Sequence, residues 1–233
     1  MIEDPQQPSI AVLIPVLNEA ERIGPLLVAL KAMDFSEIIV ADGSSTDGTE
    51  EIVRSSPGVI LVLGARGRGA QINAAAKKAT AAILLVLHAD SVLPDNAPGL
   101  IRQTLSRGDV KAGCFRLAFD RSSRVLKLYS WFSRFETRFT TFGDQAFFMQ
   151  RTTFDAVGGA PEWPFLEDVA LRQRLLSHGH FVKRPEQVVT SARRFVNRGP
   201  VMQQLINAIV LLGYHSGVPA HKLARFYGAQ NTS

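Results

Sequence analysis

Three apolar runs in this chain each end at polar or acidic residues, and this repeated feature constrains the fold most. The runs are IAVLIPVLNEAERI (10–23), EIIVADGSSTDGT (37–49) and AILLVLHADS (82–91). An apolar run of this length followed by polar residues and a helix signal is typical of a buried parallel strand that leads into a crossover helix. Ligands bind at the carboxyl ends of such strands, so we expect the polar side chains there to converge on one crevice. These side chains are Asn18, Glu19, Asp42, Asp47, His88 and Asp90.

The alternation of apolar runs and helix signals predicts a βαβαβαβ order. Strands are expected at 10–16, 37–41, 59–63 and 82–88, and helices at 20–33, 47–55, 69–79 and 97–107. This order predicts an α/β fold with a Rossmann-like, mostly parallel sheet and right-handed crossovers. Beyond Gly108, two strand-like runs lack a regular crossover between them, which indicates antiparallel additions. A helix at 167–179, a strand pair through 181–195 and a helical segment at 200–227 are expected to follow.

Composition narrows the class of protein without selecting a ligand. With 233 residues and 46% hydrophobic content, the chain suits one large domain and not a disordered segment. The net charge of +5 favours anionic partners such as nucleotides, nucleic acid or a membrane surface. Cys114 is the only cysteine and is expected to be a small core side chain, so no disulfide framework forms. The N-terminus lacks an export signal, which favours a cytoplasmic location.

Local structure alone explains part of the polar clusters. Asn18 followed by Glu21 fits a helix N-cap with a reciprocating acid, and Thr46 or Asp47 can cap the next helix. Asp42 is different, because it ends its strand well before the helix begins. A carboxylate there can accept hydrogen bonds from a nucleobase or a ribose.

The segment GARGRGAQI (64–72) supports an alternative from another class. It follows a strand and opens a helix, and Asp90 comes about 20 residues later, as in a dinucleotide-binding fingerprint. Ile72 stands where that fingerprint needs a small residue for close helix packing. An NAD(P)-dependent oxidoreductase, a sugar nucleotidyltransferase and a non-catalytic nucleotide- or membrane-surface-binding protein are therefore the alternatives to a transferase.

An ordered series of motifs carries a resemblance to a known family. PVLNE, DGSSTDGT, GRGAQINAA, HAD, GDQAFF, FDAVGGAPEW and EDVALRQRL follow one another in the chain. The series resembles the family 2 inverting glycosyltransferases with the GT-A nucleotide-sugar-binding fold, and more narrowly the small bacterial branch associated with arsenosugar biosynthesis. The resemblance implies one GT-A domain over 1–228, with a nucleotide-binding half (9–108), an acceptor and catalytic half (109–199) and C-terminal helices (200–228).

The same resemblance implies roles for individual residues. Pro15, Asn18 and Glu19 would line the nucleotide pocket, Asp42 would contact the base, and Gly69 and Asn73 would shape the diphosphate side. Where the family usually has two acids one residue apart, this chain has His88 and Asp90, so Asp90 would be the remaining ligand of a Mg²⁺ or Mn²⁺ ion. At most one of Arg193 and Arg194 would reach the diphosphate, because adjacent strand residues point to opposite faces.

The catalytic residues implied by the resemblance are Glu167 and Asp168, with Asp168 as the base that takes the proton of the acceptor hydroxyl. Asp144 would lie beside the donor sugar or the acceptor. Trp163 is expected mainly in the core, with a wall for a sugar ring as the alternative. The partners implied are a nucleotide-sugar donor and a small or lipid-linked acceptor, not a nucleic acid. The aromatic and arginine-rich stretch from Tyr129 to Phe142 could also contact a membrane surface.

Overall fold

The computed structural model of the protein describes residues 7–163, 166–193 and 199–228. Its eight strands are β1 (Ile10–Val16), β2 (Glu37–Asp42), β3 (Val59–Leu63), β4 (Ile83–Val86), β5 (Ser91–Val92), β6 (Val110–Phe119), β7 (Phe148–Gln150) and β8 (His180–Thr190). Its helices are α1 (Ala20–Lys31), α2 (Thr49–Arg54), α3 (Arg68–Lys78), α4 (Ala97–Leu105), α5 (Arg124–Phe132), α6 (Arg151–Ala156), α7 (Glu167–Leu176), α8 (Pro200–His215) and α9 (Ala220–Tyr227), with a 3-10 helix at Gly143–Gln145.

All eight strands belong to one sheet in the order β3-β2-β1-β4-β7-β6-β8-β5. The first four pair in parallel, with β2 between β1 and β3, and β4 on the other side of β1. Val16 lies opposite Asp42, and Asp42 lies opposite Leu63, so these strands end at the same edge. The predicted α/β fold with a Rossmann-like parallel part is confirmed.

Both faces of the parallel part are covered, which explains its uninterrupted apolar runs. In β1, Ile10, Val12, Ile14 and Val16 face the layer that contains α1, α2 and α4. Ala11 and Leu13 face the opposite layer, which contains α3 and α7. Since alternate residues of a strand point to opposite faces, a strand buried on both sides needs apolar residues throughout. Such burial fixes the strand ends, and with them the polar loops.

The second half of the sheet contains the predicted antiparallel additions. β7 runs antiparallel to both β4 and β6, and β5 runs antiparallel to β8. The predicted strand pair through 181–195 is wrong, because β8 is one continuous strand that pairs in parallel with β6. Register shifts between Val110 and Ala112 and between Phe115 and Arg116 bend this pair. Cys114 is fully buried in β6, as expected, and burial raises the pKa of its thiol to about 12.

The C-terminal helices pack on the start of α7. Leu166 and Val169 form a small apolar cluster with Val210 and Leu211 of α8 and Leu223 of α9. These two helices are thereby brought to the carboxyl edge of the sheet. Within the described residues, no helix combines the length and apolar composition needed to cross a bilayer.

Candidate active site

A cleft beside the ends of β4 and β8 brings together five of the residues named from the sequence. They are His88, Asp90, Asp144, Glu167 and Asp168. His88 and Asp90 follow β4, Asp144 lies in the 3-10 helix, and the last two open α7. Three segments far apart in the chain therefore place acidic or imidazole groups around one space.

The two acids at the start of α7 have different environments. Glu167 is 3% exposed, and its Oε1 lies 3.2 Å from Nη1 of Arg68. Asp168 is half-buried, and its carboxylate accepts hydrogen bonds from the backbone N–H of Gly143 (2.7 Å) and of Val169 (2.8 Å). The Asp168 side chain is thus held in one orientation at the wall of the cleft, while Glu167 serves an ion pair.

Arg68 is a cleft residue that the sequence analysis missed. It is the first residue of α3, and the carboxylate of Glu167 raises its pKa above the ordinary value, with smaller contributions from Asp168 and Asp144. The available signal was a cation at the first position of a helix, directly after a strand and loop of the ligand-binding edge. Arg68 supplies positive charge among the acids of the cleft.

The loops after β1 and β2 are joined by hydrogen bonds. Asn18 accepts a hydrogen bond at Oδ1 from the backbone N–H of Thr46 (2.9 Å), and its own N–H donates to Oγ of Ser45 (2.9 Å). Asp47 accepts from the backbone N–H groups of Ala20 (3.0 Å) and Thr49 (3.1 Å). Burial alone would raise the pKa of the Asp47 carboxyl, but the hydrogen bonds from Thr49 and Ala20 lower this pKa below its ordinary value.

These contacts correct both capping predictions. Gly48 occupies the N-cap position of α2, and Asp47, one residue earlier, binds the first backbone N–H groups of α2 and of α1. Asn18 is not the N-cap of α1, because Glu19 occupies that position without a side-chain hydrogen bond to the helix. Asn18 itself has a positive φ of 54°, and its amide contacts the neighbouring loop at Thr46.

Asp42 is buried at the end of β2 with one oxygen satisfied. Its Oδ1 accepts hydrogen bonds from the backbone N–H and the hydroxyl of Ser45, both at 2.8 Å. Its Oδ2 is buried and has no hydrogen-bond partner among the described residues. Pro15 is buried within β1, opposite Ala41, next to this strand end. A buried oxygen without a partner costs free energy, so it identifies a place where a ligand N–H would be stabilised.

Glu19, at the start of α1, forms ion pairs with two arginines. Glu19 lies 2.8 Å from Nη1 of Arg22 and 3.7 Å from Nη2 of Arg193. The hydrogen bond that Arg22 donates to the carboxylate of Glu19 raises the pKa of Arg22, and the negative charge of Asp90 adds to this shift. Arg22, Arg193 and Asp90 line one groove behind the cleft. The predicted alternative, Arg194, lies outside the described residues.

Gly69 and Asn73 lie on α3 and contact the loop that precedes α7. A Cβ on Gly69 would lie 2.0 Å from the carbonyl oxygen of Pro161, so only glycine permits this approach. Asn73 donates to the carbonyl of Ala160 (2.9 Å) and accepts from its N–H (2.8 Å). Both residues therefore help to fix this loop. Trp163, in the same loop, is 37% exposed and packs beside the ring of Tyr214 (6.3 Å).

Strained backbone is concentrated at this edge of the sheet. The four described non-glycine residues with positive φ are Asn18, Ser44, Ala146 and Leu166. They lie in the loops after β1 and β2, directly after the 3-10 helix, and at the N-cap of α7. Such conformations cost free energy and persist where surrounding structure holds them, often at functional sites.

A metal site made of protein ligands alone is absent from the described residues, in which no group of three or more His, Cys, Asp or Glu side chains is suitably placed. Asp90 is half-buried at the cleft, and its Oδ1 is 3.4 Å from the hydroxyl of Thr190. Mg²⁺ and related ions are often bound by one or two carboxylates, with waters and substrate phosphates completing the shell. The single carboxylate of Asp90 fits a site of this kind, which waters and substrate phosphates would complete.

The C-terminal helices also line the cleft, which the sequence did not predict. Gln203 and Asn207 of α8 and Tyr227 of α9 face it, together with Tyr129 of α5. The side-chain amide of Gln203 donates to Asn207 (2.9 Å) and to the hydroxyl of Tyr227 (3.0 Å). Burial and the charge of Asp144 raise the pKa of Tyr129 well above its ordinary value. This wall is polar and neutral, unlike the acidic wall opposite.

Comparison with known protein families identifies the family of this chain. The model of glycosyl transferase family 2 matches residues 11–161, well over half of the chain. The chain belongs to this family. A curated relative, the glycosyltransferase AglJ of Haloferax volcanii, is 31% identical over 71 residues. That match covers 30% of this chain and 23% of the relative, so the chain spans less than a quarter of that protein.

Solved structures of glycosyltransferases share the fold. The mannosyltransferase PcManGT of Pyrobaculum calidifontis, in complex with GDP-Man and Mn²⁺, is 20% identical with a TM-score of 0.68, over 97% of this chain and 70% of that one. TarS of S. aureus in complex with UDP is 16% identical with a TM-score of 0.64, over 78% and 60%. Glucosyl-3-phosphoglycerate synthase of Mycobacterium tuberculosis, in complex with phosphoglyceric acid, is 19% identical with a TM-score of 0.60, over 91% and 81%.

These findings confirm the resemblance to family 2 glycosyltransferases with the GT-A fold. The fold is GT-A, and the family is that of glycosyltransferases, which decides against the dinucleotide-binding alternative. The motifs from PVLNE to FDAVGGAP lie within the matched residues, whereas Glu167 and Asp168 follow them.

Proposed function

We propose that this protein transfers a sugar from a nucleoside-diphosphate sugar to an acceptor hydroxyl, with inversion at the anomeric carbon and with the help of a divalent cation. The observation that carries the proposal is the cleft in which Asp90 and Asp168 lie beside Arg68. The carboxylate of Asp90 is suited to binding a metal ion, and that of Asp168 is suited to acting as a base. The guanidinium of Arg68 is suited to pairing with phosphate. One donor and one acceptor require these three functions.

The donor nucleotide is proposed to bind at the ends of β1 and β2. The buried Oδ2 of Asp42 is without a hydrogen-bond partner among the described residues and would accept an N–H of the base. Pro15, Asn18 and Glu19 would line the pocket around it. Solved structures of similar fold hold GDP-Man and UDP, which supports a nucleoside-diphosphate ligand but selects neither base.

The diphosphate is proposed to lie between the nucleotide loops and the cleft. A divalent cation bound there acts as a Lewis acid that neutralises charge on the leaving phosphate. Asp90 would hold it, with His88 beside the ribose or the metal. Arg193 and Arg68 line the two sides of Asp90 and would share the phosphate charge, because guanidinium groups pair well with phosphate oxygens.

Asp168 is proposed as the base. The acceptor oxygen attacks the anomeric carbon from the face opposite the leaving phosphate and gives its proton to Asp168. The new carbon–oxygen bond forms as the bond from the anomeric carbon to the phosphate oxygen breaks, and the nucleoside diphosphate leaves with the electron pair. Two backbone N–H groups hold the Asp168 carboxylate in place, and Glu167 orients Arg68. Asp144 would contact the donor sugar or the acceptor.

A thermal-shift screen tests this function. UDP, GDP, CDP, dTDP, ADP and NAD(P) are each added with and without Mn²⁺, because a ligand that binds the native state raises its midpoint of unfolding. We expect one or two nucleoside diphosphates to stabilise the protein, more strongly with Mn²⁺. Stabilisation by NAD(P) alone would contradict the proposal.

A further inference from the structure

Two neighbouring helices each expose an apolar stripe, and together we call these stripes the outer face. On α5 and the turn after it, the stripe consists of Leu128, Trp131, Phe132 and Phe135, between 44% and 56% exposed. On α8 it consists of Met202, Leu205, Ile209 and Leu212, between 44% and 59% exposed. A contiguous exposed apolar patch on a folded protein marks an interaction surface.

Each stripe lies on the helix face opposite the buried one. On α5, Leu126 and Tyr129 point inward, whereas the stripe follows the spacing i, i+3, i+4 and i+7. On α8, Gln203, Val210 and Leu211 are buried. Both helices therefore carry apolar residues on two sides, one packed against the protein and the other exposed.

Direct contacts hold the two helices together as one surface. The phenol of Tyr129 on α5 hydrogen-bonds the side chain of Asn207 on α8. Past the end of α5, the ring of Phe139 meets that of His215 edge-on, at a centroid distance of 5.3 Å. The outer rings also pack on one another, since Trp131 lies 5.0 Å from Phe132 and 5.4 Å from Phe135.

The charge around the outer face has one sign. Residues 121–139 contain five basic side chains, all exposed: Arg121, Arg124, Lys127, Arg134 and Arg138. Their single acid, Glu136, is paired with Arg172. Residues 199–228 add the exposed Lys222 and Arg225 and contain no Asp or Glu. Arg134 also lies over the Trp131 ring, 4.7 Å from its centroid.

We propose that the outer face binds an anionic lipid bilayer, with α5 and α8 lying in the plane of the interface. Aromatic and aliphatic side chains would enter the boundary of the acyl chains, and the lysines and arginines would meet anionic headgroups. The charge pattern favours a bilayer over a second copy of this chain. A symmetric dimer through this face would oppose like charges without acids to neutralise them.

Bilayer binding at the outer face would fix the distance between the cleft and the membrane. The inward sides of the same helices, at Tyr129 and Asn207, line the cleft that contains Asp168. A bilayer on the outer side would hold the cleft one helix diameter from the lipid headgroups, about 10 Å. This arrangement suits an acceptor hydroxyl carried on a lipid, a class that rests on the proposed function, whereas bilayer binding itself does not.

The experiment is co-sedimentation of the whole protein with vesicles. Phosphatidylcholine vesicles containing about 30% phosphatidylglycerol are compared with pure phosphatidylcholine vesicles at low and high salt. We expect binding to the anionic vesicles that weakens as salt rises. In a Trp163→Phe background, the remaining tryptophan, Trp131, should shift its emission to the blue when anionic vesicles are added.

Two pairs of variants separate the outer face from the rest of the surface. Trp131→Ser with Leu205→Ser should lower partitioning about tenfold or more, because two apolar side chains no longer leave water. The matched control is Val28→Ser with Leu63→Ser, which are also exposed but lie on α1 and β3. Lys127→Glu with Lys222→Glu should lower partitioning to a similar extent. Lys77→Glu with Lys78→Glu changes the net charge equally, at the end of α3, and should lower it far less.

Three results would overturn the proposal. The first is equal binding to neutral and anionic vesicles, or none to either. The second is equal loss of binding in the outer-face and control variants. The third is a dimer, detected by sedimentation velocity without lipid, that Trp131→Ser with Leu205→Ser abolishes, since this would assign the face to a second copy. Nucleoside-diphosphate binding, measured separately, distinguishes failure of this proposal from failure of the proposed function.

Discussion

The two polar regions at the carboxyl edge of the sheet are built in different ways. The loops after β1 and β2 close on each other over a short stretch of chain, through Asn18, Ser45, Asp47 and Thr49. The cleft instead joins residues from β4, the 3-10 helix, α3, α7 and the C-terminal helices. The first region is therefore held by hydrogen bonds between two neighbouring loops, whereas the second depends on the packing of several distant segments.

This difference agrees with the proposed division of the chemistry between the two regions. The hydrogen-bonded loops after β1 and β2 suit the nucleotide, which does not react, and the buried Asp42 offers it one hydrogen-bond acceptor. A cleft assembled from several segments suits the reacting groups, and its outer wall can change with the acceptor. Substitutions should accordingly separate into those that affect turnover, those that affect the cleft's assembly and those that affect only the loops after β1 and β2.

The largest effect is expected for Asp168→Asn. Removal of the base should lower turnover about 10²- to 10⁴-fold, while the affinity for the nucleoside diphosphate stays near that of the wild type. An amide oxygen can still accept one of the two backbone hydrogen bonds that hold the side chain. Steady-state kinetics and donor titration measure both quantities. Asp155→Asn, an exposed acid on α6, is the control and should leave turnover intact. Full turnover in Asp168→Asn would show that another group is the base.

An intermediate effect is expected for Arg68→Gln. The carboxylate of Glu167 is buried, so loss of its partner should lower the free energy of unfolding by about 2 kcal/mol. Chemical denaturation measures this change, and donor titration should show weaker diphosphate binding. Adding Glu167→Gln should restore much of the stability but not the binding. Equal losses in the single and double variants would mean that the ion pair does not hold the cleft together.

The smallest effect is expected for Asp47→Ala, which acts within the loops after β1 and β2. Loss of the hydrogen bonds that it accepts from Ala20 and Thr49 should cost about 1 kcal/mol of stability, as when other side chains that bind N–H groups of a helix's first turn are removed. Because the pKa of Asp47 is lowered in the folded state, its contribution is complete above its ordinary pKa of 3.8 and is lost as the pH falls through the folded value. Denaturation at neutral and acid pH measures this, with Glu50→Ala on α2 as the control. An unchanged stability difference at low pH would contradict the assignment.

The parallel half of the fold could be predicted from the sequence because its signals are local. Buried strands need apolar residues throughout, and helices α1 to α4 begin and end within a few residues of their predicted bounds. The single strand β8 was predicted as a pair because its partner, β6, lies some 70 residues earlier in the chain. Such a pairing leaves no local pattern.

The candidate site divides along the same line. Four residues could be predicted from the sequence, because each stands at or just after a strand end or at a helix start: Asp42, His88, Asp90 and Asp168. Arg68 and Gln203 were missed, since their roles come from long-range contacts with Glu167 and Tyr227. The sequence alone does not show whether the amide of Asn73 contacts a ligand or another part of the chain. In the structure it binds the Ala160 backbone.

The central claim is that the two regions form one donor site, with the nucleoside at Asp42 and the diphosphate at Asp90. Isothermal titration of the selected nucleoside mono- and diphosphate, with and without Mn²⁺, tests it directly in Asp42→Asn and Asp90→Asn. We predict that Asp42→Asn weakens both ligands by a similar factor, whereas Asp90→Asn removes only the Mn²⁺-dependent gain of the diphosphate. If both variants bound both ligands as the wild type does, the claim would be contradicted.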